Sequence, residues 1–133
     1  MFKRIDHIGV IVDDIDEARS LLESLGMRLE RAQEVPERNV RIAFYQCGDG
    51  RIELIEPTSE EGRRRRLGDG NQARIEHIGV EVDDVPQIME AVRALGIGLT
   101  TSEPVPVGPN LNAWTQPETS DGIQFQLVQR DAV

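Results

Sequence analysis

Polar and apolar residues alternate with period two from Ile5 to Val12, the signature of a strand with two unlike faces. Asp6, Ile8, Val10 and Val12 share one face; Ile5, His7, Gly9 and Ile11 share the other. The first face is the one expected under a helix. Asp13-Asp14 then offers an N-cap, Ile15, Ala18, Leu22 and Leu25 follow a helical stripe, and Gly26 reads as its stop. Strands are expected over Met27–Ala32, Val40–Gln46 and Arg51–Glu56, the last two joined by a tight turn at Gly48-Asp49-Gly50. On the fourth strand Glu53 and Ile55 share a face.

The whole pattern then returns. Arg4-Ile5-Asp6-His7-Ile8-Gly9-Val10-Ile11-Val12-Asp13-Asp14 recurs as Arg74-Ile75-Glu76-His77-Ile78-Gly79-Val80-Glu81-Val82-Asp83-Asp84, nine of eleven positions identical at an offset of 70. Leu25-Gly26 recurs as Leu95-Gly96, so the repeat extends through the helix. That second helix carries Pro86 in its first turn and an apolar stripe of Val85, Ile88, Met89, Val92 and Leu95. Strands are expected near Gly98–Thr101, Asn110–Thr115 and Ile123–Gln129, with Asp121-Gly122 as the last turn. Module one spans about residues 3–58, a polar connector with a short helix and Arg63-Arg64-Arg65-Arg66 about 59–72, and module two about 73–131. The expected class is α+β: two tandem βαβββ modules in one domain.

The chain has 133 residues, 38% of them hydrophobic and 29% charged, an ordinary globular composition. A net charge of -9 disfavours nucleic acid and anionic membranes as partners. Cys47 is the only cysteine, so no internal disulfide forms. Met1 to His7 has no apolar run of signal-peptide length, and no stretch reaches the length of a membrane span, so a cytoplasmic protein is expected.

The candidate chemistry lies in the repeat. The chain's only two histidines, His7 and His77, occupy the same place in the two copies. Aligned on the last strand of each module, Gln126 takes the place of Glu53. Pseudo-symmetric packing of the modules would gather His7, Glu53, His77 and Gln126, two imidazoles, a carboxylate and an amide, around one divalent metal.

At these residues the chain resembles the vicinal oxygen chelate superfamily of glyoxalases, bleomycin-resistance proteins, extradiol dioxygenases and methylmalonyl-CoA epimerases. The resemblance runs through "DHIGV…VDD", "IELIEP", "EHIGV…VDD", "SEP" and "DGIQFQL" in the family's order. It implies a cup-shaped, strongly curved mixed sheet with helices outside, and a homodimer. It is closest to the epimerase branch, whose four ligands fall at positions matching His7, Glu53, His77 and Gln126. An acid at position 53 points to the glyoxalase and epimerase branches, because the dioxygenases and fosfomycin-resistance enzymes use none there. Two departures stand out: the last ligand is typically glutamate and here is Gln126, and an epimerase His-His pair is here Glu76-His77.

The implied chemistry is metal-assisted proton transfer next to a carbonyl, with cobalt, nickel, manganese or zinc as the metal. Gln126 is neutral and cannot serve as the base. Glu81, on the His77 face, and Glu37 and Glu103, in segments expected to border the cup, are the candidates. Phe44, Tyr45 and Trp114 are expected to line a small-molecule substrate, with Asn110 and Asn112 orienting its oxygens. An acyl-CoA is one candidate substrate, its phosphates meeting the arginine run; a solvated connector helix is the simpler reading of that run. Two alternatives stand beside the epimerase: a lactoylglutathione-lyase type glyoxalase, and a non-catalytic binder of the bleomycin-resistance type.

Overall fold

A computed structural model describes all 133 residues. The chain divides into two compact units, one of His7–Glu76 and the other of Met1–Asp6 with His77–Val133.

In the first unit β1 (Arg4–Val12) leads through α1 (Ile15–Ser24) to β2 (Arg28–Val35), β3 (Val40–Cys47) and β4 (Gly50–Pro57). The strand order is β2-β3-β4-β1, antiparallel except for β1, which runs parallel to β4. The connector follows as a short helix, α2 (Glu60–Gly62), and a π-helical turn over Arg63–Leu67. The second unit repeats the plan with β5 (Ala73–Glu81), α3 (Val85–Ala94), β6 (Val105–Val107), β7 (Asn110–Trp114) and β8 (Gln124–Gln129). Its order is β5-β8-β7-β6, with β5 parallel to β8. The α+β class and the two tandem βαβββ modules are therefore as expected. No helix is long and apolar enough to cross a membrane.

Each helix is fastened at its start by the same two devices. The Asp14 carboxylate accepts from Asp16 N and Glu17 N, and Asp84 accepts from Gln87 N. A side chain of the closing strand adds a further acceptor. Glu56 Oε2 takes the Ile15 N–H at 2.9 Å, and Gln129 Oε1 takes the Val85 N–H at 2.9 Å. A carboxylate in one repeat is thus replaced by an amide oxygen in the other, with the same job.

Against β1, β3 and β4, α1 packs Ile15, Ala18 and Leu22 on Val10, Val12, Ala43, Tyr45 and Leu54. Against β5, β7 and β8, α3 packs Val85, Ile88, Met89 and Val92 on Val80, Val82, Ala113 and Leu127. The covered faces of β1 and β5 are those opposite the histidines, as the alternation requires.

Two expectations are corrected. Leu25 and Leu95 do not extend the buried stripes; they are 66% and 68% exposed. Gly26 (φ +89°) and Gly96 (φ +85°) reverse the chain there in left-handed conformation. The backbone N–H groups of Met27 and Ile97 bond back to Leu22 and Val92, and these two residues enter the cores instead. Gly98–Thr101 is not a strand but carries a single bridge, Leu99 to Thr115. The strand lies instead at Val105–Val107 and includes Pro106; it is an edge strand, where a residue without an N–H is tolerated.

Candidate metal centre

In the first unit, the parallel register of β1 and β4 sets Gly9 opposite Glu53. Glycine projects nothing into the space before the strand, and His7 lies two residues earlier on the same face. His7 is 3% exposed, and its Nε2 lies 3.4 Å from Oε1 of Glu53. Phe44 stands opposite Glu53 on β3 and meets the His7 ring edge-on, centroids 5.7 Å apart. The guanidinium carbons of Arg31 and Arg51 lie 4.7 and 5.2 Å from the Phe44 centroid, in cation–π range. Arg51 also pairs with Glu30 at 2.8 Å.

Arg66, in the π-helical turn, adds positive charge on the same side. It holds Glu76 through two hydrogen bonds, at 2.8 and 2.9 Å. Its pKa is raised chiefly by those bonds, opposed by burial, and raised further by the charges of Glu76 and Glu53. The rest of this face is apolar: Ile11, Val40, Ile55 and Leu67 form a cluster flanked by Val35 and Ile42. A cleft of about 520 Å³ opens along the connector between Asp13, Arg63 and Asn71, and includes neither His7 nor Glu53.

The second unit has the equivalent register. Gly79 stands opposite Gln126, as Gly9 stands opposite Glu53, so the structure gives Gln126 the place of Glu53 in the repeat. His77 is 5% exposed on the same face of β5. Trp114 stands opposite Gln126 as Phe44 does opposite Glu53. Asn112, 3% exposed, accepts the Gln126 Nε2–H at 2.9 Å through its Oδ1. Its own Nδ2 donates to the Val105 carbonyl at 3.5 Å.

The other expected site residues fall as follows. Tyr45 is displaced from the substrate face. It is fully buried under α1, where its hydroxyl accepts from Arg19 Nε at 3.0 Å and donates to Glu23. Adjacent strand residues face opposite ways, so Phe44 and Tyr45 cannot both flank His7. Asn110 Oδ1 accepts the Asp131 N–H at 3.1 Å and holds the turn after β8. Glu81 is paired with Arg4 at 3.0 Å and with Lys3 at 3.6 Å. Glu37, in the turn Pro36–Arg38, and Glu103, before β6, are exposed. Arg31 and Arg51 over Phe44 were not foreseen, because that contact depends on register between strands.

These residues suit a divalent cation. His7 and Glu53 bring a nitrogen and an anionic oxygen together in a largely buried position, and borderline metals take that donor mixture. The second unit has a buried imidazole of its own, His77, and an amide, Gln126, bonded to Asn112.

The Glyoxalase/Bleomycin resistance protein/Dioxygenase superfamily model matches residues 6–113. The chain is 33% identical to the lactoylglutathione lyase of Haemophilus influenzae, over 95% of this chain and 92% of that one. It is 25% identical to human mitochondrial methylmalonyl-CoA epimerase, over 95% and 73% of the two chains. Plant lyases that it also resembles are longer, and the chain spans 36% and 45% of two of them. The crystal structure of methylmalonyl-CoA epimerase from Mycobacterium tuberculosis has the same fold, with a TM-score of 0.85 at 21% identity over 97% of this chain and 89% of that one. With the family match covering most of its length, the chain belongs to the Glyoxalase/Bleomycin resistance protein/Dioxygenase superfamily.

Proposed function

We propose that the protein is a metal-dependent enzyme that moves a proton next to a carbonyl group, an isomerase or epimerase of the methylmalonyl-CoA epimerase type. His7, Glu53, His77 and Gln126 hold the ion, which is cobalt, nickel, manganese or zinc. When bound, it supplies a Lewis acid that offsets the negative charge gathering on the carbonyl oxygen as the neighbouring C–H loses its proton. The observation that carries this reading is the meeting of His7 and Glu53 at 3.4 Å, with His77 and Gln126 at the equivalent repeat positions.

With one carboxylate among four donors, the site carries less negative charge than one with two, so the cation keeps more of its pull on a substrate oxygen. Glu81 is the base in this reading. It shares a strand face with His77 and is held by Lys3 and Arg4, whereas Glu37 and Glu103 make no side-chain hydrogen bond or ion pair. Phe44 and Trp114, opposite the two oxygen ligands, line the substrate. Arg31, against Phe44, gives an anionic substrate such as an acyl-CoA a positive neighbour. The protein acts as a cytoplasmic homodimer in this reading.

The similarity to the Haemophilus lyase favours a second reading, a glyoxalase-type lyase with the same metal and proton chemistry. One experiment separates them. Metal-loaded protein is incubated in deuterium oxide with methylmalonyl-CoA and, separately, with the methylglyoxal–glutathione adduct. Deuterium entry at the acidic carbon of the first supports the epimerase; isomerisation of the second supports the lyase. Stoichiometric metal with neither reaction points to a ligand-sequestering protein, and purified protein that takes up no divalent metal sinks the proposal.

A further inference from the structure

A carboxylate offers an oxygen whichever way it is turned. A carboxamide does not: one end accepts and can bind a cation, the other only donates. Rotation by half a turn exchanges them, and nothing within the side chain chooses. If Gln126 is to serve as a ligand, a neighbour must read the difference.

We infer that Asn112 is the positioning residue that turns the Gln126 carboxamide oxygen-first, and so permits an amide to stand where its counterpart is a carboxylate. This rests on the metal reading given above. The polarity is set at a backbone carbonyl, which can only accept. Val105 C=O takes the Asn112 Nδ2–H at 3.5 Å, so the other end of Asn112 is its oxygen. That oxygen takes the Gln126 Nε2–H at 2.9 Å, and the Gln126 oxygen is thereby the atom assigned to ligation.

The first repeat supplies the control. Asn112 stands opposite Val128, and the matching position opposite Ile55 is Ile42, packed among apolar side chains. A polar group at 3% exposure is costly to bury unless it is bonded, and it occurs only in the repeat whose ligand candidate is an amide. Glu53 needs no such partner. Three residues further on the same exchange recurs: Gln129 replaces Glu56, and its amide oxygen takes the acceptor role. Substitution of carboxylate by correctly oriented amide is therefore a device this chain already uses.

The test is a double-mutant cycle read by metal binding. Chelator-stripped protein is titrated with cobalt(II), followed by calorimetry and by the visible absorption of the bound ion. Wild type, Asn112→Ile, Gln126→Glu and the double variant are compared, with circular dichroism melts to verify folding. Asn112→Ile copies the first repeat and should weaken binding by about 10–100-fold, as loss of a ligand's outer partner does. In the Gln126→Glu background the same change should cost less than about threefold, because a carboxylate needs no orienting. Asn112→Ala carries the same expectation and is used if Asn112→Ile does not fold. Equal losses in both backgrounds, or none in either, would overturn the role of Asn112 while leaving the metal site standing. Failure of wild type to bind cobalt would overturn both.

Discussion

His7 and Glu53, 46 residues apart in the chain, meet at 3.4 Å because β4 returns parallel to β1 with Glu53 opposite Gly9. The pair is assembled by the last step of the first repeat and would not exist in any shorter piece of it. His7→Ala and Glu53→Ala should each lower divalent-metal affinity by more than the roughly 10–100-fold typical of outer partners. Metal content of the purified variants, measured by plasma mass spectrometry, checks this. Full metal occupancy in both would remove these residues from the centre.

Gln126→Glu restores an acid at the last ligand position. A second negative charge should tighten metal binding by at least about tenfold, and it should lower the rate of any proton transfer that depends on a strongly polarising ion. Competition against a chelator gives the affinity. An unchanged value would count against ligation by Gln126.

Metal should also stabilise the fold by mass action. At a free concentration 100 times its Kd, an ion bound only by the native state adds about 2.7 kcal/mol. For a chain of this size that raises Tm by on the order of 10 °C, reversed by a chelator. Identical melts with and without metal would be the contrary result.

Much of this was legible in the chain, and the errors are physical ones. Period-two alternation and cap chemistry are local, so the strands, the helix starts at Asp14 and Asp84 and the duplicated plan could all be read directly. Alignment of the last strand of each module extends that reading to Gln126, whose place opposite Gly79 matches that of Glu53 opposite Gly9. Tyr45 follows Phe44 on β3, and neighbouring strand residues diverge, so only Phe44 meets the His7 ring. β6 is only three residues long, Pro106 among them, too short for alternation to reveal it. The Asn112–Gln126 bond and the arginines over Phe44 depend on cross-strand register, which no window of sequence contains.

Two leucines beside α3 give a stability contrast. Leu127 is fully buried against α3, and Leu127→Ala should cost about 2–5 kcal/mol. Leu95→Ala, at a position 68% exposed, should stay within about 0.5 kcal/mol of wild type. Urea unfolding of the two variants side by side is the check, and comparable losses would show that Leu95 is covered in solution.

Tyr45, the only tyrosine, predicts a pH dependence. Its pKa is raised above the usual 10.0, first by burial and then by its hydrogen bond to Glu23, with Arg19 opposing. The folded state therefore favours the protonated phenol. Its contribution is complete below pH 10 and is lost as pH rises through the folded-state value. Absorbance at the tyrosinate band should show a midpoint above 10, and Tyr45→Phe should remove that component of alkaline destabilisation. A midpoint at or below 10 in folded protein would contradict the burial argument.

Four consecutive arginines in a connector would ordinarily be where trypsin enters a protein. Here Arg63 is tied to Asp13 and to the Pro57 carbonyl, Arg66 is forked onto Glu76, and Leu67 is 3% exposed in the cluster with Ile11 and Ile55. Only Arg64 and Arg65 turn outward, and their backbone belongs to the same wound turn. A protease needs an extended segment, so this one is presented only when the turn unwinds. A nick at that run would report the melting of the first unit and not slack in a tether.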